Sequence, residues 1–341
     1  MDKSICFPFE IRDLDHEKTA EVTKHFTGLQ IKYVQVGPEK YYFCEGYKRL
    51  GPKIYNMKIR STDVFLVTVP KSGTTWTQEL IWLLKNDFDY NSAKAVPITQ
   101  RFPLLEQSMT HNSEIARSHL NVDNGTEKQT QMTKILSMCG FEVLQKASSP
   151  RYIKTHLPLS LLPQELLGTA KVVYVARDPR DVAVSYYNHV RLMLTFGFQG
   201  DFKKFWHFFL NSLVSWTPYF SHVKEAWVMR NHPNVLFMFY EELCKDLPSS
   251  IRRVASFLDK PVTEEQVARL CDHLSFDNFK KNQAVNYENL RELGLLREGY
   301  SFMRKGKAGG WRDYFDEELS AQAQRWIDDN LRGTDLRFPD A

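Results

Sequence analysis

A chain of 341 residues, 43% hydrophobic and 13% aromatic, has room for one large domain or two small ones and can bury a sizeable core. Its 45 basic against 41 acidic side chains give a net charge of +4, too mild for nucleic-acid binding by bulk charge, so only a local anion site stays open. The cysteines, Cys6, Cys44, Cys139, Cys244 and Cys271, are scattered, odd in number and without a C-x-x-C pair, which argues against a disulfide framework or a zinc site, and no metal is expected.

The opening stretch "MDKSICFPFEIRDLDHEK" has no apolar core of signal-peptide length, and no run approaches the roughly 18 apolar residues of a membrane span. A soluble, cytoplasmic protein with no membrane partner is therefore expected, and the sequon at Asn124 predicts no glycan.

The first strong element is a buried strand over 63–69, "DVFLVTV", followed by a helix over 74–87, "TTWTQELIWLLKND". Between them stand Lys71, Ser72, Gly73, Thr74, Thr75 and Trp76. A strand delivers the chain to a tight turn, Gly73 lets backbone N–H groups approach an anion, and the helix aims its positive end at the same place. Thr74 and Thr75 are placed to cap the helix, and Lys71 adds a mobile charge. The lysine precedes the only glycine, unlike the G-x-x-x-x-G-K-[ST] loop of nucleotide triphosphatases. An ordinary strand–turn–helix junction would look similar.

Residues 108–149 break the rhythm. They are polar, weakly periodic and too long for a simple connection, which predicts either a lid, with "MTKILSMCGFEVL" (132–144) closing over a ligand, or a surface insertion. Strands follow over 151–156 ("RYIKTH"), 171–176 ("KVVYVA") and 234–240 ("NVLFMFY"), the second leading into a helix through "DPRDVAVSYYNHV". Later segments are helical: "SSIRRVASFL", "TEEQVARLCDHL" with a capping box from Thr263 to Gln266, and "DEELSAQAQRWIDDNL". The alternation predicts an α/β fold, a central parallel sheet flanked by helices, with all 341 residues in one domain because no linker is evident.

"PKSGTTW" resembles the 5′-phosphosulfate-binding loop of the cytosolic sulfotransferases. "FMRKGKAGGWRDYF" (302–315) resembles that family's R-K-G-x-x-G-x-W segment, and "YIKTHLP", "VVYVARDPRDVAVSYY" and "FMFYEEL" fall between them in family order. The resemblance runs from about residue 50 to the end. It implies 3′-phosphoadenosine 5′-phosphosulfate (PAPS) as donor and 3′-phosphoadenosine 5′-phosphate (PAP) as product. A 5′-phosphosulfate is shorter and less charged than a triphosphate, so a short loop with one lysine suffices.

By the same resemblance Arg177, Ser185 and the segment Arg304, Lys305 and Gly306 hold the 3′-phosphate. Trp76 and Phe276 stack on adenine, with Tyr240, Ser275, Phe302 and Met303 nearby. Without the resemblance, the same residues would read as a surface salt bridge from Arg177 to Asp178 or Asp181, a basic surface loop, and core aromatics. His156, in "KTHLP", is the implied base, taking the proton of an acceptor hydroxyl. Lys71 stabilises the leaving oxygen, Lys154 projects to the side of His156 two residues on, and Ser185 restrains Lys71.

The acceptor implied is a small hydrophobic phenol or alcohol, with Pro70, Phe102, Phe141, Tyr186 and Phe302 as candidate pocket residues. "THLPLSL", "ARDPRDVAVS" and "TPYFSHVKEAW" resemble insect sulfotransferases related to retinol dehydratase, so sulfonation followed by elimination is a second outcome to weigh. The loop nevertheless keeps Lys71 and Trp76, which favours plain sulfonation. Two rival functions from different classes are a nucleotide kinase, supported by the strand–loop–helix alone, and a non-catalytic carrier of hydrophobic ligands. The family's dimer motif, K-x-x-x-T-V-x-x-x-E, should follow Trp311; "RDYFDEELSA" does not match it, so a homodimer by that route is not expected.

Overall fold

A computed structural model describes residues 6–28, 32–109 and 140–340. Most of 108–149 thus lies outside the described residues, including 132–139 of the stretch read as a lid.

The central sheet is four-stranded and parallel, in the order β5-β4-β6-β7, where β4 is Val64–Thr68, β5 Tyr152–Thr155, β6 Lys171–Ala176 and β7 Val235–Phe239. Each lies within a predicted strand. These strands read as continuous apolar runs because both faces are covered. Phe65, Val67, Val172, Tyr174, Phe237 and Phe239 face one core, and Val64, Leu66, Val173, Val175 and Met238 face the other. The helix Thr74–Lys85 packs in the second core through Leu80, Ile81 and Leu84. Full burial of each such side chain stabilises the fold by roughly 1.5–3 kcal/mol before entropy is charged against it.

The start of β4 is pinned by a buried ion pair: Arg151 Nε donates to Asp63 Oδ1 at 2.8 Å, and Arg151 Nη2 to the Lys58 carbonyl at 2.8 Å. Later, Thr263 and Gln266 form the expected capping box of helix Glu264–Leu274. β4 is the switch point, with β5 on one side and β6 on the other, so ligands are expected beyond the carboxyl ends of these strands.

A second sheet was not foreseen from the sequence. It is antiparallel, in the order β1-β2-β3: Ile11–Asp13, Tyr33–Val36 and Tyr41–Cys44. The turn between β2 and β3 uses Gly37 at φ 68°. "YVQVGPEKYYFC" holds two short β-rich runs about a Gly-Pro, the available hairpin signal. Among the described residues no helix is long and apolar enough to cross a membrane.

Candidate active site

The loop after β4 bends through two left-handed residues, Lys71 at φ 74° and Gly73 at φ 94°. Gly73 has no substitute: a Cβ there would stand 2.6 Å from the Tyr240 ring. Gly73 is the N-cap of helix Thr74–Lys85, and no side chain caps that helix. Its first-turn N–H groups are therefore left for an anion. The capping role expected of Thr74 is not seen, because its hydroxyl is 2.8 Å from Thr68 Oγ1 in a buried contact. Ser72 is fully buried, its hydroxyl has no hydrogen-bond partner, and it is the one predicted loop residue that does not line the cavity.

That cavity, about 750 Å³, is lined by Lys71, Gly73, Thr74, Thr75 and Trp76 from the loop and by Lys154 and His156 from the end of β5. Arg177 and Ser185 follow from β6 and its helix, Pro179–Leu192, and Tyr240 from the end of β7. Ser275, Phe276, Phe302, Met303, Arg304, Lys305 and Gly306 complete it. The strand ends thus bring together residues spread over most of the chain.

Arg177 ties the two ends of the site. Its guanidinium donates to the carbonyls of Lys71 at 3.1 Å and Lys307 at 3.3 Å, and lies 4.1 Å from the Tyr240 ring centroid. Its Nε is buried and unpartnered. Asp181 is 3.7 Å from Arg177, the salt bridge weighed above, yet its main contacts are elsewhere. It accepts from the backbone N–H groups of Gly309 at 2.7 Å and Trp311 at 2.9 Å, docking the second basic segment on the helix that carries Ser185.

At Gly306, φ 62°, a Cβ would come 2.0 Å from the Phe276 ring, so only glycine lets ring and backbone meet. Arg304 donates to the Tyr314 hydroxyl at 3.2 Å, and burial lowers its pKa. Lys305 is ion-paired with Asp313 near the surface. Trp76 donates to the Leu274 carbonyl at 2.9 Å and meets Tyr240 edge-on at 6.0 Å. Ser275, the N-cap of helix Phe276–Lys281, makes no capping bond.

Lys71 Nζ lies 4.1 Å from the Phe302 ring centroid. Among the described residues no hydrogen bond joins it to Ser185, which lines the same cavity. Loss of solvent, then the cations of Lys154, Arg177 and Arg304, push the Lys71 pKa down to about 7. Six lysines and arginines around one cavity, the unpaired Arg177 Nε and two glycine cradles under aromatic rings suit a ligand with two separated anionic groups and a flat base. PAPS fits these residues.

His156 follows β5 and is held at three points. Its Nδ1 is 2.8 Å from the Thr68 carbonyl, which accepts only, so Nδ1 carries the proton and Nε2 keeps its lone pair. Its backbone N–H donates to Glu106 Oε1 at 2.6 Å, and its carbonyl is 3.0 Å from Nε2 of His222. The Tyr174 hydroxyl is in turn 2.8 Å from His222 Nδ1. Burial, reinforced by the Lys154 charge, holds the His156 pKa well below its usual value, so the ring is neutral at physiological pH. Burial pushes the Glu106 carboxyl up to about 7. Thr68, Glu106, Asp181 and His222 carry no sequence signal for these roles; only their contacts with distant residues mark them.

Of the candidate pocket residues, Pro70, Phe102, Tyr186 and Phe302 line the cavity. Phe141 does not; it sits in the helix Gly140–Lys146 and is buried in the core with Leu144. The unforeseen β2–β3 hairpin supplies Tyr33, Tyr42 and Cys44 to the wall instead. Among the described residues no cluster of His, Cys, Asp or Glu could hold a metal ion.

The sulfotransferase domain model matches residues 61–335. The chain is 36% identical to luciferin sulfotransferase of Photinus pyralis over 310 residues, 89% of this chain and 80% of that one. With sulfotransferase 1B1 of Mus musculus it shares 33% over 312 residues, 90% and 94% of the two chains. A crystal structure of retinol dehydratase with androsterone and the inactive cofactor PAP is 45% identical, with TM-score 0.94 over 99% of this chain and 100% of that one. A second, with retinol and PAP, is 45% identical at TM-score 0.92, over 98% and 100%. These likenesses leave no support for a nucleotide kinase or a non-catalytic carrier. A phosphosulfate loop, a second basic segment on the same cavity and a matched domain over most of its length make this chain a member of the sulfotransferase family, an enzyme that uses PAPS.

Proposed function

We propose that this enzyme sulfonates the hydroxyl of a small hydrophobic alcohol or phenol, with His156 as the base. The observation that carries the reading is the Nδ1 contact to Thr68, which leaves the unprotonated Nε2 of a neutral imidazole in the same cavity as Lys71. PAPS, when bound, supplies an electrophilic sulfonate group. Lys71, the first-turn N–H groups of helix Thr74–Lys85 and Thr75 would hold its 5′ end. Arg177, Ser185 and Arg304–Gly306 would hold its 3′-phosphate, and Trp76, Tyr240, Ser275, Phe276, Phe302 and Met303 its adenosine. His156 takes the hydroxyl proton at Nε2, while Lys71 and Lys154 place positive charge where negative charge grows. A titration of PAP against adenosine 5′-phosphate tests the 3′-phosphate assignment. Loss of the 3′-phosphate is expected to weaken binding by about 10²-fold or more, since it removes charge-assisted bonds from Arg177 and Arg304 and leaves the buried Arg177 Nε without a partner. Equal affinities would remove the assignment.

The acceptor class is supported by the aromatic and aliphatic lining of the cavity and by the hydroxyl compounds bound in the two retinol dehydratase structures. Plain sulfonation is proposed as the net reaction, because Lys71 and Trp76 keep the family's loop. Elimination after sulfonation is the second reading, favoured by the 45% identity to retinol dehydratase over nearly the whole chain. Incubation with retinol and PAPS, followed by chromatography, separates the two: a retained sulfate ester is expected, and an anhydro product would establish elimination.

The same reading treats the chain as one domain, since both sheets contribute to one cavity. It places the protein in the cytoplasm, in keeping with the free thiols of Cys6, Cys44, Cys244 and Cys271.

A further inference from the structure

Among the described residues, Lys71 Nζ has neither a hydrogen-bond acceptor nor a carboxylate partner. What lies beside it is the Phe302 ring, whose centroid is 4.1 Å away. At that distance the negative face of an aromatic ring attracts an ammonium, and the more so where water is excluded. Loss of solvent is the largest influence on Lys71.

The charged groups acting on Lys71 are all cations: Lys154 from β5, Arg177 from the end of β6 and Arg304 from the second basic segment. The two histidines that feel its charge, His156 and His189, are held neutral, chiefly by burial. Desolvation and three like charges thus oppose the ammonium, and the Phe302 ring is the described contact that favours it.

The ring is fixed from several directions. It packs on Tyr287 with centroids 4.4 Å apart and meets His189 edge-on at 5.9 Å. The chain around it is tied down as well. Arg291 Nη2 donates to the Tyr300 carbonyl at 2.6 Å, and the Ser301 hydroxyl donates to the Met303 carbonyl at 3.1 Å. Only Met303 separates Phe302 from Arg304, and both line the donor cavity. The segment assigned to the 3′-phosphate therefore carries the ring that touches the lysine assigned to the 5′ end.

We propose that Phe302 is a positioning residue whose ring face holds the Lys71 ammonium in the free enzyme, charged and inside the donor cavity, ready for the donor's 5′ anion. It acts on the donor through Lys71, over and above its place beside adenosine. This inference rests on the role given to Lys71 above.

Phe302→Leu keeps an apolar side chain and removes the ring, whereas Phe302→Tyr keeps the ring face. Trace acetylation of the ligand-free protein by acetic anhydride, followed across pH by mass spectrometry of the Lys71 peptide, reads the titration of the amine. Its midpoint is expected to fall by about one pH unit in Phe302→Leu and to stay near wild type in Phe302→Tyr. An unmoved midpoint in Phe302→Leu, or an equal fall in both variants, overturns the proposal. If Phe302→Leu does not fold, Phe302→Met carries the same expectation. PAP titrations give a second readout. An anion selects the ammonium form, so a lower midpoint weakens binding only at pH values above it. The deficit of Phe302→Leu against wild type should therefore grow between about pH 5.5 and pH 8, by up to about tenfold. A deficit of one size at every pH would leave Phe302 an adenosine contact alone and overturn the proposal. Normal turnover in Lys71→Met would remove the role of Lys71 and this inference with it, whereas an unmoved midpoint with that role intact removes this inference alone.

Discussion

Replacing His156 by alanine is expected to lower kcat by about 10²–10⁴-fold, the usual contribution of a positioned general base. PAP binding should change little, because the ring's contacts run to the Thr68 carbonyl and the Trp216 ring rather than to the cations. The variant His156→Asn sharpens the test. Its amide can still donate to Thr68 but offers no basic nitrogen. If the proposed role is right, both variants lose activity to a similar degree. The pKa of His156 lies well below its usual value through burial and the Lys154 charge, so the ring is already neutral at physiological pH. Activity should accordingly not rise with pH on account of His156 between pH 7 and 8. Near-normal turnover in either variant, with sulfate transfer followed directly, would make His156 a structural residue.

Lys71→Met should produce the second large effect, a loss of about 10²–10³-fold in kcat, comparable to removing one electrostatic contact at a growing charge. It carries a pH signature as well. In the free protein the Lys71 pKa is pushed down to about 7 by burial and by Lys154, Arg177 and Arg304. An anion favours the protonated form, so PAP binding above pH 7 must take up a proton. Affinity in wild type should then be nearly flat below pH 7 and fall as pH rises, at most about tenfold per unit. Calorimetry in buffers of different ionisation enthalpy reads the uptake directly. Lys71→Met should abolish both the uptake and the slope. A slope retained in the variant would assign the proton to another group.

Hydrogen bonds to the loop backbone offset its strain. Lys71 adopts a left-handed backbone that costs a non-glycine residue of order 1–3 kcal/mol. Arg177 holds that geometry through the Lys71 carbonyl, and Asp181 anchors the opposite segment through Gly309 and Trp311. The helix Pro179–Leu192 therefore bridges the two basic segments.

What the sequence by itself determined is whatever is local. The strands of the parallel sheet were legible because burial on both faces makes each a continuous apolar run, and their ends fell within a residue or two of those expected. The capping box at Thr263 and Gln266 was legible because capping is settled within one turn. The strand–Gly73–helix anion loop was legible from its local pattern, whereas its phosphosulfate role and the Arg304–Gly306 segment came from resemblance to the family; both glycines are left-handed. Only the tertiary structure decided the rest. Thr68, Glu106 and His222 hold His156 from three segments whose local patterns say nothing of it. Phe141 looked like a pocket residue by composition, but a phenylalanine's place depends on which surface its helix buries, and here that is the core. The β2–β3 hairpin that forms part of the cavity wall has strands of four residues, too short to stand out. Its place follows from packing: backbone bonds tie Tyr42 to Trp216 and Thr217, and the Trp216 ring meets His156, more than a hundred residues from the hairpin in sequence.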